Sequence, residues 1–170
     1  FMARRDQAVK FAEKARSLCL VLLASKSPRS KHWLEATLGE AMIILGDIAQ
    51  ARKHYQYAQE TGSCKGSHIG TMRTQARLAL EYCGFDPAAL DNTFNVPKVC
   101  VFSGHMLDKP DRETARLQPA DIDRVQSEIS DYFDSNQIGV TYSSAACGSD
   151  ILFLEEAIRR GVESIIVLPF

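Results

Sequence analysis

The chain has 170 residues, a net charge of −1, 45% apolar and 24% charged residues. This balance suits one medium or two small globular domains and excludes a bulk electrostatic attraction to nucleic acid or anionic lipid. Five cysteines without a CxxC pair argue against a disulfide framework or a zinc site, and the longest apolar run, Leu18 to Ala24, is too short to span a bilayer. A cytoplasmic protein without structural metal or cofactor is the expectation. The ends, Phe1-Met2 and Leu168-Pro169-Phe170, read as those of a piece of a longer protein.

Residues 3–83 carry helical periodicity and almost no strand signal. Helices are predicted over about Arg4–Ser25 and Ser67–Tyr82, with a pair between them in the stretch Lys31 to Gly62. Leu38, Met42 and Leu45 form one apolar stripe, and Ile48, Ala51, Tyr55 and Ala58 form another. Gly46-Asp47 supplies the turn, glycine allowing the conformation that follows a helix end. Two amphipathic helices joined this tightly must pack antiparallel.

The spacing of Leu38-Gly39, Met42, Gly46, Ile48, Ala51, Tyr55 and Ala58 resembles a tetratricopeptide repeat. The resemblance implies that small residues let the two helices approach while large ones fill the gap, and that the flanking helices are degenerate neighbours needed to bury their faces. Met42 and Ile48 replace the usual aromatics, and Ser63 stands where a proline normally ends the unit. A protein partner bound through the repeats is implied; a generic helical bundle is the plain alternative.

Residues 85–97 carry two Pro, two Asn and two Asp and read as a linker, placing a boundary between a helical domain at 1–84 and a second domain at 98–170. From there strand and helix patterns alternate. Strands are predicted at Lys98–Phe102, Ile138–Tyr142 and Ser164–Leu168, and helices at Pro119–Asn136 and Ser149–Arg160. Ile122, Val125, Ile129 and Phe133 mark the buried face of the first helix. The continuously apolar third strand reads as buried on both faces. The fold class is therefore an α+β two-module chain: antiparallel helical repeats, then a three-layer Rossmann-like parallel sheet that is incomplete here. Further strands are expected beyond Phe170, leaving Ile165–Leu168 as an open edge predisposed to pair with a second copy as a homodimer.

In such a sheet ligands lie beyond the carboxyl ends of the strands. Two loops qualify, Ser103-Gly104-His105 and Ser143 to Asp150. Small residues let backbone N–H groups reach a ligand, and the helix start behind them favours an anion, so a phosphate-bearing molecule is expected; a tight turn packing a helix on the sheet is the alternative. Neither G-x-G-x-x-G nor the P-loop pattern is present. Ser143, Ser144 and Ser149 offer hydroxyls or cap the helix, with Ala145 and Gly148 leaving the backbone open. Asp150 binds a ribose hydroxyl or complements the helix dipole, and Cys147 sits where a thiol pKa falls. His105 could contact sugar or phosphate, and in the polar loop 105–118 either Arg112 or Arg116 could clamp a phosphate.

The pair Phe102-Ser-Gly-His105 and Ser144-Ala-Ala-Cys-Gly-Ser-Asp150 resembles the loops of the SLOG superfamily of Rossmann-like domains, which includes the Lonely Guy phosphoribohydrolases and the DNA-processing protein A family. That resemblance covers residues 98–170 and implies a nucleotide or nucleotide-derived ligand. Ser144 and Ala145 replace two frequent glycines, and Leu152 stands where the phosphoribohydrolases place a glutamate, so a sensing module without catalytic residues is expected in preference to a nucleotide hydrolase or a purely structural adaptor.

Overall fold

The computed structural model describes residues 2–25 and 30–168, with side chains from Arg5 onward. Among them the chain is α+β: six α-helices and one small parallel sheet. It divides into two compact units, one ending at Val96 and one starting at Pro97. No helix among the described residues is long and apolar enough to cross a membrane.

The first unit contains α1 (Met2–Leu23), α2 (Lys31–Leu45), α3 (Ile48–Glu60) and α4 (Gly66–Cys83), with α2 packed against the other three. The turn between α2 and α3 forms as its two residues dictate. Gly46 closes α2 at φ 85°, and Asp47 caps α3 by accepting the Gln50 N–H at 3.0 Å. Gly39 then lies against the Tyr55 ring, where a Cβ would come within 2.8 Å of ring carbon. This close approach buries Tyr55 completely among Met42, Ala51, Met72 and Leu80. Ser63, in place of the expected proline, hydrogen-bonds His32 Nδ1 at 2.8 Å, and His32 stacks on His68 with centroids 4.6 Å apart.

The stretch read as a linker is packed. Leu90 is 1% exposed and Phe94 packs tilted against the Tyr55 ring with centroids 4.9 Å apart, both inside the helical core. Asp91 accepts from Arg73 and Arg77, Arg52 reaches Asn92, Thr93 and the Ala89 carbonyl, and Gln59 brackets Thr93 and Asn95. A Pro-, Asn- and Asp-rich composition marks irregular backbone, but two apolar residues and several long polar partners on α3 and α4 are enough to fix it. The boundary therefore falls at Pro97, not Gly84.

The second unit runs β1 (Lys98–Phe102), α5 (Ile122–Asn136), β2 (Ile138–Ser143), α6 (Ser149–Arg159) and β3 (Glu163–Ile166), with strand order β1-β2-β3, all parallel. A short 3₁₀ turn, Pro119–Asp121, leads into α5. Side-chain alternation sorts β1: Cys100 and Phe102 enter the core with Ile129, Phe133 and Phe153, while Val99 and Val101 point the other way, Val101 79% exposed. Both helices contribute to that one core and pack on each other. The described residues thus make two layers and not the expected three, because β1-β2-β3 advances in one direction and both crossovers return over the same face. β3 is correspondingly not buried on both faces; Ile166 is 53% exposed. Arg160 clamps α6 to α5, binding Asp134, the Ser130 carbonyl and Glu156, and lying 5.5 Å over the Phe133 ring.

Candidate functional site

The two loops that the sequence singles out meet at the carboxyl end of the sheet. β1 and β2 are neighbours in register, with Phe102 opposite Ser143, so the residues after them start side by side. They are then bonded together. Ser149 donates its N–H to the His105 carbonyl at 3.0 Å and accepts the His105 N–H on Oγ at 2.9 Å. Asp150 accepts the Gly104 N–H on Oδ1 at 2.7 Å and the Ser144 hydroxyl on Oδ2. Leu107 donates to the Cys147 carbonyl at 2.9 Å, making a one-residue antiparallel bridge between Met106 and Gly148.

Glycine is required on both sides of this contact. A Cβ on Gly104 would collide with Ser149 Oγ. Gly148, at φ 147° and ψ −136°, adopts a conformation that L residues with side chains avoid, and a Cβ there would strike the His105 carbonyl. Asp150 is 3% exposed with both carboxylate oxygens bonded, so its part is to latch the loops, at a helix start that favours its charge. It is not free to take a ribose hydroxyl, and Ser149 is likewise committed to His105.

The remaining expected site residues separate. Ser143 belongs to β2 and is 3% exposed, and its hydroxyl has no hydrogen-bond partner among the described residues. Ser103, His105, Ala145 and Cys147 are exposed. Among the described residues, nothing accepts the backbone N–H of Ala145, Ala146 or Cys147. Three consecutive uncommitted amides before a helix are a natural seat for anionic oxygens. Arg112 turns its Nε back on its own loop, 3.3 Å from Asp108 and donating to the Thr114 carbonyl.

A cleft of about 440 Å³ opens next to this frame, between β1 and α5. Gly104, His105 and Ser149 form its end nearest the loops; Phe102, Phe153, Val125 and Ile129 line it, and Arg116, Glu128 and Tyr132 stand at its rim. Phe102 and Phe153 stack nearly parallel at 4.3 Å. Burial pushes the Cys100 thiol in its wall up, against the opposing pull of a hydrogen bond with Tyr132. Of the expected site residues, Gly104, His105, Ser149 and Arg116 reach the cleft, and the others do not. The sequence held one signal for it: Val125, Ile129 and Tyr132 recur at helical spacing, but that stripe reads equally as core.

Among the described residues no group of three His, Cys, Asp or Glu side chains is placed to hold a metal ion. Leu152, where the phosphoribohydrolases of the resembled superfamily carry a glutamate, packs on the apolar core. Glu156 is buried between Arg159 and Arg160, which hold its carboxyl at about 2. Comparison with known proteins finds no matching family model, curated protein or solved structure.

Proposed function

We propose that the second unit is a Rossmann-like module of the SLOG type that binds a nucleotide or nucleotide-derived molecule, and that it senses its ligand without turning it over. The first unit, on this reading, is a tetratricopeptide-like scaffold that presents a helical surface to a protein partner. The observation that carries the ligand reading is the uncommitted run of amides at Ala145, Ala146 and Cys147, beside a latched pair of loops at the carboxyl ends of neighbouring parallel strands. Rigid loops with free donors are preorganised for an anion and need little rearrangement to bind it. Sensing fits better than hydrolysis because the carboxylate at the loops is spent: Asp150 bonds Gly104 and Ser144.

The test is thermal unfolding of the chain against a panel of nucleotides and nucleotide sugars, with Ala145→Asp as the control. Ala145 is exposed, so the substitution leaves the fold intact while setting a carboxylate among the free amides. A stabilising shift that Ala145→Asp removes is the expected result. Absence of any shift across the panel would overturn the reading and leave the small-residue loop as a packing device in an adaptor.

A further inference from the structure

The sheet of the second unit ends in two unlike edges. Among the described residues β1 and β3 each pair with β2 alone, and all three strands run the same way. Beside β1, the cleft on the helix side is lined by Phe102, Val125 and Ile129, while Val101 stands 79% exposed on the opposite face. The β3 edge carries the converse. Ile166 lies level with Ser143 and so with Phe102, which sets its side chain on the helix side, 53% exposed. Ile165 lies level with Tyr142 and Val101, on the other face. One edge thus offers an apolar recess, and the other an apolar side chain on the matching face. Charge matches as well. β1 starts at Lys98 and β3 at Glu163, so parallel pairing of these two strands brings opposite charges together at their amino ends.

We infer that these edges are partners between copies of this chain: β3 of one copy adds in parallel beside β1 of a second, with Ile166 entering the cleft between β1 and α5. In the register that β3 keeps with β2, Glu163 comes beside Val99 and Ile166 beside Phe102. The cleft walls then cover Ile166, Ile165 lies against Val101, and the outward N–H and C=O groups of both strands find partners. A two-fold pair of β3 edges, by contrast, leaves the cleft and Val101 outside the contact. The proposed contact is heterologous, because each copy presents a different edge to the next. A copy bound through its β3 still offers its own β1, so association continues past the dimer.

Sedimentation velocity over a concentration series tests this with two variants at exposed positions, Val101→Lys on β1 and Ile166→Lys on β3, each with its unfolding transition checked alongside. The unaltered chain should grow past the dimer as concentration rises. Each variant alone should stay monomeric up to about tenfold or more above the concentration at which the unaltered chain associates. An equimolar mixture of the two should form a one-to-one pair and nothing larger. The reason is that the Val101→Lys copy keeps an intact β3 and the Ile166→Lys copy an intact β1. If Val101→Lys associates as the unaltered chain does, or the unaltered chain stops at a dimer, the β1 edge is not the acceptor and the proposal is overturned. A mixture that stays monomeric, or an unaltered chain that is monomeric throughout, overturns it equally.

Discussion

Gly39 and Tyr55 set the spacing of the α2–α3 pair. The Tyr55 ring has no room to retreat, since it is fully buried and packed against Phe94. Gly39→Ala should therefore destabilise the helical unit by about 1–3 kcal/mol through overpacking, read as a lower urea midpoint with unchanged slope. Tyr55 carries the opposite opportunity. Its hydroxyl is buried without a hydrogen-bond partner among the described residues, and burial drives its pKa far upward. Tyr55→Phe removes the unsatisfied group and keeps the shape, so it should be neutral or raise stability by up to about 1 kcal/mol in the same experiment. A clear loss would show that the hydroxyl has a partner in solution. Both residues were legible as contact positions from their helical spacing. The stranded hydroxyl was not, since satisfaction of a polar atom depends on what other elements bring to it.

At the scale of elements, acid separates the two units. His32 on α2 is held below its ordinary 6.5 by burial and then by the stacked His68, whose Nδ1 accepts the Lys65 N–H at 3.2 Å. A depressed histidine means that the unfolded chain takes up its proton first. Stability of the helical unit should thus decline as pH falls below about 6.5. Glu156 on α6 works lower, its carboxyl moved from an ordinary 4.5 to about 2 by Arg159 and Arg160. Its contribution is complete above about 4.5 and lost as pH falls towards 2. Chemical unfolding across pH, followed at Trp33 for the helical unit and by far-ultraviolet dichroism for the whole, should show the higher step before the lower; Glu156→Gln should flatten only the lower one. The loops follow the same logic of shared elements: Gly148→Ala should separate 103–107 from 147–150 and abolish amide-exchange protection at Gly104, His105 and Ser149. Retained protection would contradict the latch.

On the whole-molecule scale, apolar surface remains uncovered. Phe11, Leu18, Val21 and Leu22 on α1, Val99 and Val101 on the outer sheet face, and Ile166, Val167 and Leu168 at the β3 edge are all exposed. An open parallel edge beside an apolar face is a template for pairing. The chain should self-associate, with a sedimentation coefficient that rises with concentration, and Ile166→Lys should suppress the rise. A monodisperse monomer at every concentration would contradict this. Helix and strand types were legible because each is written in local periodicity: α2 and α3 around Gly46-Asp47, β1, β2 and α6 within a residue of their observed ends, and α5 from Ile122, three residues after the expected start at Pro119, where a 3₁₀ turn comes first. The parallel order was legible from the alternation of strand and helix. Other features depend on residues distant in sequence and carry no local period. Asp91 finds Arg73 and Arg77, Asp150 finds Gly104 and Ser144, and Asp108 organises Arg116. Local pattern by itself therefore determined the elements and the two loops worth watching. Only the tertiary structure decided that Leu90 and Phe94 of the 85–96 stretch join the helical core, that both helices of the second unit share one core on the sheet, and that Asp150 is a latch, because each of those is a contact made across the fold.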